Sequence, residues 1–323
     1  MPHNDHVITP PANQTLTQEA LDGLLRNKKT LSPKFFYDEE GCRLFQKITE
    51  LPEYYLTRTE LLLLETVAPA VAAGSASRTA LVEYGASDES KARFLLDQCQ
   101  TDADPVFDAY LAIDVASEGL DQTRDRLERL YPHLDVHVLA ADFFRPIDLP
   151  HAFIDKPRLG FFPGSTIGNF DPSTASTLLR QIGKTLGRGA QLLVGVDLRK
   201  DPQVLLSAYN DSAGVTAAFN RNALVRLNRE ADAGFDIDAF VHRAIWNDEE
   251  SRIEMHLISL RDQVANIADQ KIRFTEGETI HTENSYKHTV DGFAALAKRS
   301  GWRAREVWTD AENLFSMHLL ETE

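Results

Sequence analysis

The chain has 323 residues, a net charge of −15 and a hydrophobic fraction of 43%. That is enough apolar material for one large domain or two ordinary ones. There is no long basic run, which argues against nucleic acid and anionic membranes as partners, because both reward Lys and Arg.

Two cysteines, Cys42 and Cys99, are too few for a disulfide framework or a cysteine zinc site. A reduced, cytoplasmic protein without a metal is expected. No apolar stretch reaches the roughly 20 residues that span a bilayer. The start, Met1–His6, lacks the charged and then apolar order of a secretory leader, so none is expected. No internal repeat or low-complexity tract is present.

Residues 1–16 are polar and proline-containing and are expected to fray. Thr17–Leu25 reads as a short amphipathic helix, broken by Thr30–Pro33. After the dense segment Lys34–Asp38, Leu44, Phe45, Ile48 and Leu51 recur at helical spacing until Pro52. Thr57 and Glu60 have the spacing of a capping box before a helix over Leu61–Val71. Leu81–Lys91 then reads as strand, tight turn and helix, with Glu83 and Gly85 at the turn. The helix continues to about Gln100. Tyr110–Asp114 is a second buried strand, followed by a helix over Ser117–Leu130. Val136–Leu139 is a third strand, ending in Ala140–Phe144. Arg158–Phe162 is a fourth and runs into the glycine-rich loop Pro163–Phe170. A helix over Ala175–Leu186, closed by Gly187 and Gly189, precedes a fifth strand at Gln191–Asp197.

Five strand–helix repeats make a doubly wound half-sheet. The pattern then changes. Lys200–Leu206 and Val215–Arg229 are helical, while Phe235–Trp246 and Arg252–Asp262 carry mixed signals. Val290–Gly301 is a last clear helix, and Trp302–Trp308 and Phe315–Leu320 are strands that return to the sheet edge. Residues 61–196 with 286–323 are expected to form one domain. Residues 15–60 with the inserted 197–285 are expected to form a second, substrate-binding one.

The strand ends carry the chemistry, since open α/β sheets bind ligands there. Gly85 lets a ligand lie close to the main chain. Asp114 is placed to accept from both hydroxyls of a ribose, or else to cap the helix that follows. Asp142 can accept from an adenine amine, and Phe143 can pack on the ring. Lys91 can pair with a carboxylate. A seven-stranded sheet whose last two strands follow one helix is the layout of class I (Rossmann-like) methyltransferases. Their cofactor, S-adenosylmethionine, has a ribose, an adenine and an amino-acid tail.

Several stretches resemble one family closely. They are Lys34–Asp38, Leu51–Glu60, Gly164–Phe170, Tyr209–Asn222, Arg252–Met255 and Thr282–Lys287. Together they are similar to the ergothioneine-pathway L-histidine Nα-methyltransferases, from about Lys34 to near the C-terminus. The resemblance implies trimethylation of free L-histidine to hercynine by a protein expected to act as a monomer. It also implies that Tyr54, Asn169 and Tyr209 hold the substrate's amino and carboxylate groups, with Asn169 and Tyr54 positioning the amine for transfer. Glu283, Asn284 and Ser285 would meet the imidazole, and Met255 would line the side-chain pocket. Tyr37 would join Gly85, Lys91, Asp114, Asp142 and Phe143 around the cofactor.

One position departs from the family pattern: Ser87 stands where a second glycine is usual. The alternatives are a methyltransferase of this fold acting on tryptophan or tyrosine, and a non-catalytic small-molecule binding protein. Glu283 favours histidine, because an indole needs no carboxylate partner.

Overall fold

The computed structural model describes residues 12–86, 88–98, 105–115 and 119–323, with backbone alone for 12–15. The N-terminal tail, Ser87, Cys99 and residues 100–104 and 116–118 lie outside the described residues. In chain order the elements are α1 (Ala12–Leu24), β1 (Lys29–Thr30), α2 (Glu39–Thr49), α3 (Tyr55–Gly74), β2 (Thr79–Tyr84), α4 (Ala92–Leu96), β3 (Phe107–Asp114), α5 (Leu120–Leu130), β4 (Asp135–Ala140), β5 (Arg158–Phe162), α6 (Pro172–Leu186) and β6 (Gln191–Asp197). They continue with α7 (Pro202–Tyr209), α8 (Val215–Glu230), β7 (Phe240–Asn247), β8 (Arg252–Ser259), β9 (Gln263–Ile267), β10 (Gln270–Phe274), β11 (Thr279–Tyr286), α9 (Val290–Arg299), β12 (Trp302–Thr309) and β13 (Phe315–Thr322).

The chain divides into two compact units. One holds the described residues up to Glu53 with Leu205–Asn247 and Ile253–Glu283. The other holds those of Tyr54–Val204 with Asp248–Arg252 and Asn284–Glu323.

The larger unit is built on a seven-stranded sheet in the order β12-β13-β6-β5-β2-β3-β4. β2 pairs parallel with both β3 and β5, and β5 pairs parallel with β6. β13 runs antiparallel to both of its neighbours. This is the class I methyltransferase sheet, and its strands are near-continuous apolar runs because helices cover both faces. Side chains alternate across it. Leu81, Tyr110, Ala112 and Phe161 pack in one cluster with Leu64, Val67, Leu95 and Leu127 of the first-face helices. Ala80, Val82, Tyr84 and Ile113 pack in the other with Leu178, Ile182 and Phe293 of α6 and α9.

The smaller unit holds a four-stranded sheet, β1-β11-β8-β7, and the hairpin β9-β10. Helix α2 is capped by the Asp38 carboxylate, which accepts from Gly41 N–H.

Helix α1 begins at Ala12, inside the stretch expected to fray, and α4 ends at Leu96. Two further expectations change. Helix α3 starts at Tyr55, two residues before the proposed capping box, and Glu60 is fully buried on its second turn. Helix α5 starts at Leu120 behind Gly119 in a left-handed conformation, so Asp114 is not its cap.

Glu83 is also buried, on the first-face side of β2, where the Tyr110 hydroxyl donates to Oε2. Burial is the largest effect on it and pushes its pKa up from 4.5 to about 8. A raised folded-state value means a stability contribution fully present below pH 4.5 and lost as pH rises through about 8. At 1.36 kcal/mol per unit, that is on the order of 5 kcal/mol across the window. Glu83→Gln keeps an acceptor for Tyr110 and does not titrate. Its urea midpoint should therefore gain on the wild type between pH 5 and pH 8, and an unchanged difference would contradict a neutral, buried Glu83.

Candidate active site

The carboxyl ends of β2, β3 and β4 bring four of the expected cofactor residues together. Tyr84 is in register with Ile113, and Asp114 with Ala140. The Gly85 and Ala86 N–H groups both donate to the Ile113 carbonyl, at 2.8 and 3.2 Å, and Ala141 N–H donates to the Asp114 carbonyl at 2.9 Å. So the chain leaves β2 at Gly85, beside half-buried Asp114, with Asp142 and Phe143 one strand further on. Gly85 has φ of 78°, and a Cβ built on it would meet nothing within 4 Å. Main chain is thus presented to open space, the cradle that a ligand's tail needs. Asp142 is exposed and accepts from Phe144 N–H at 3.0 Å. Phe143 packs edge-on to Tyr84 and Phe162.

Lys91 already has a carboxylate. Its Nζ lies 2.8 Å from Glu60 Oε2, while Glu60 Oε1 accepts from Gly164 N–H at 2.8 Å. Gly195 makes room for this acid, since a Cβ there would sit 2.3 Å from Glu60 Oε1. A donor's carboxylate would meet Lys91 as part of this pair.

The loop after β5 turns at Gly164 and Ser165, both with positive φ, and ends in a single turn of 3-10 helix over Thr166–Asn169. Asn169 is half-buried, and its side chain makes no hydrogen bond among the described residues. Tyr54 is buried at the N-cap of α3. Beneath the loop sits a charge cluster that sequence reasoning did not find. Alternation along β6 puts Leu193, Gly195 and Asp197 on one side, and Asp197 is fully buried. The Tyr55 hydroxyl lies 2.8 Å from both of its oxygens. Lys200 and Lys287 pair with it, the latter at 2.6 Å. Asp197 N–H donates to Ser165 Oγ at 2.9 Å. Burial pulls the Lys200 pKa down to about 8 against the opposing pull of Asp197. Lys287 Nζ also donates to Ser285 Oγ at 2.8 Å, which orients that hydroxyl as a donor toward other groups. Asn284 Oδ1 is buried with no partner among the described residues. The signal for this cluster was present: an acid closing a buried strand, and a lysine two residues after Ser285.

The remaining expected residues belong to the smaller unit. Tyr37 sits against Phe45 and Phe219, with ring centroids 5.9 and 5.6 Å away. Next to it, Asn222 Nδ2 donates to Asp38 Oδ1 at 2.7 Å and to the Phe36 carbonyl at 3.3 Å, which joins two of the family-like stretches. Tyr209, Met255 and Glu283 lie on α7, β8 and β11. A second unforeseen network ties these elements together through Asn220 of α8. Thr282 Oγ1 donates to Asn220 Oδ1 at 2.8 Å and lies 3.0 Å from the Met255 carbonyl. Asn220 Nδ2 donates to His242 Nδ1 at 2.8 Å, and His242 Nε2 donates to the Tyr209 carbonyl at 2.9 Å. That pattern fixes a neutral imidazole, and burial holds its pKa below the usual value.

Sheet order and strand-end chemistry define a class I S-adenosylmethionine-dependent methyltransferase. The model of the family described as histidine-specific, SAM-dependent methyltransferases matches residues 16–322, and the chain belongs to that family. It is 38% identical to the histidine N-alpha-methyltransferase of Mycolicibacterium smegmatis, over 98% of this chain and 97% of that protein. The protein of the same name from Mycobacterium tuberculosis is 36% identical over the same shares. Ergothioneine biosynthesis protein 1 of Neurospora crassa is 29% identical over 90% of this chain and 33% of its own length.

Removing Asp197 takes away the acid that two buried lysines pair with. Asp197→Asn should lower the unfolding free energy by about 3–5 kcal/mol. Lys287→Met should cost less, because Asp197 keeps Lys200. Chemical denaturation of the two variants checks the order, and equal losses would contradict it.

Proposed function

We propose that the chain transfers methyl groups from S-adenosylmethionine to the α-amino group of free L-histidine, giving hercynine, the first step of ergothioneine biosynthesis. The observation that carries this reading is the sequence of groups along adjacent strand ends, Gly85, Asp114 and Asp142–Phe143, in a chain of the histidine-specific family. Gly85, Lys91, Asp114, Asp142 and Phe143, with Tyr37, would hold the donor. When bound, the donor supplies an electrophilic methyl group on a sulfonium sulfur.

The protein's own task is then mainly positioning. The amine must present a lone pair, although a free α-amine is largely protonated at neutral pH. Asn169 has an amide carbonyl that can accept from the amine, and the Tyr54 hydroxyl can orient it without adding positive charge. Tyr209 would take the carboxylate end. As methyls accumulate the amine loses N–H donors, so these neutral groups suit a head that grows more apolar. Ring recognition falls to Glu283 and Ser285, one acceptor and one donor for the two imidazole nitrogens. The unpartnered Asn284 Oδ1 is a further acceptor, and Met255 lines the side-chain pocket. The nucleophile is the amine itself, so the transfer calls on no metal. The acidic surface and the absence of a membrane-length apolar helix among the described residues suit a cytoplasmic monomer whose partner is a small molecule.

Purified protein given S-adenosylmethionine and all twenty amino acids should yield, by mass spectrometry, histidine carrying one, two and three methyl groups. Methylated tryptophan or tyrosine instead would overturn the ring assignment. Glu283→Ala should raise KM for histidine by roughly 10- to 100-fold, the value of a charge-assisted hydrogen bond. Donor affinity should stay as it was; an unchanged histidine KM would remove Glu283 from the site.

A further inference from the structure

The smaller unit carries a side-chain cluster that the methyl-transfer reading does not use. Glu254 and His256 are two residues apart on β8 and so share a face. His281 comes from β11, the adjacent strand. The two imidazoles stack, with centroids 4.6 Å apart and planes at 24°. His256 Nε2 lies 3.0 Å from Glu254 Oε2. One ligand atom from each residue lies within 4.8 Å of the other two.

The surroundings look built for donors. Glu254 Oε1 accepts from Asn247 Nδ2 at 2.9 Å, so the carboxylate is held with its other oxygen toward His256. His281 Nε2 donates to the Glu283 carbonyl at 3.0 Å, so in the neutral ring Nδ1 carries the lone pair. His256 Nδ1 is buried and has no partner among the described residues. His281, with one nitrogen anchored on a carbonyl oxygen, has the usual arrangement of a metal ligand. Two imidazoles and a carboxylate form the donor set of zinc-type divalent ions, with a fourth position left to water. Two ligands on a tetrahedral ion with bonds of 2.0–2.1 Å stand about 3.3 Å apart. Glu254 Oε2 and His256 Nε2, 3.0 Å apart, are already near that spacing.

We propose that Glu254, His256 and His281 form a binding site for a divalent transition-metal ion of the zinc class. The proposal does not depend on the substrate assignment. His281 lies two residues along β11 from Glu283, the acid assigned to the imidazole, and donates to its carbonyl.

The test is isothermal titration of the full chain, free of any polyhistidine tag, with zinc chloride in the absence of histidine and thiols. One zinc per chain is expected, and a cobalt-substituted sample should show the visible absorption of a low-coordinate site. His256→Ala and His281→Ala should each weaken that zinc at least tenfold, while His133→Ala, at a half-buried position of the other unit, should retain it. Glu254→Gln keeps the packing and should also weaken binding, which covers the case of an alanine variant that fails to fold. No stoichiometric zinc on the wild type, or binding retained in Glu254→Gln and in both folded histidine variants, would overturn the proposal.

Discussion

The place of β2 at the middle of a parallel sheet constrains most of the donor side of the molecule. The chain leaves β2 toward β3 and β4 on one side, then crosses back to β5 and β6 on the other. Connections therefore diverge at the carboxyl end of β2, and a crevice opens there. Four residues assigned to the donor in the larger unit sit at or just beyond a strand end facing that crevice region: Gly85 after β2, Asp114 closing β3, Asp142 and Phe143 after β4. The open Cβ direction of Gly85 keeps the main chain accessible at the point of divergence.

Around this frame the polar groups inside the protein are spent on holding loops. Glu60 joins the Lys91 ammonium to the Gly164 amide, across about a hundred residues of chain, and Gly195 vacates the space it needs. Asp197 gathers Tyr55, Lys200 and Lys287, and through its amide it fixes Ser165. Asn220 and His242 do the equivalent for the elements that bear Tyr209, Met255 and Thr282. Each network is buried and well partnered, the condition under which buried polar groups rigidify a site rather than weaken it. Assigned binding residues are thereby set on backbone that is bonded from below. The side chains of Asn169 and Asn284 retain unused acceptors.

The sheet was legible in the sequence because parallel strands covered on both faces must be apolar throughout. Tyr110–Asp114, Arg158–Phe162 and Gln191–Asp197 stand out for that reason alone. The smaller unit was harder to read. β7 exposes Val241 and Ile245 on one face, so its apolar residues do not mark a burial period. The β9–β10 hairpin turns at Ala268 with positive φ, without the glycine or asparagine that announces such a turn. Glu60 was misread for a related reason. Thr57 and Glu60 have cap spacing, but Tyr55 and Leu56 are buried and extend α3 backward, which turns Glu60 inward. Its partners lie on strand-end loops far away in the chain. Gly85, Asp114, Asp142 and Phe143, the residues proposed for the donor, could be read from strand ends. The residues proposed for the imidazole came only from family resemblance, because nothing local marks Glu283 as other than a charged strand residue.

The central claim is that a nucleoside donor rests on the ends of β2, β3 and β4, with the Asp114 carboxylate on its ribose. Titration calorimetry of S-adenosylhomocysteine into the wild type and Asp114→Ala tests it most directly. Loss of two charge-assisted hydrogen bonds predicts a Kd at least about 100-fold weaker, with the far-ultraviolet circular dichroism of the variant unchanged. A folded variant that binds the nucleoside as tightly as the wild type would contradict the account.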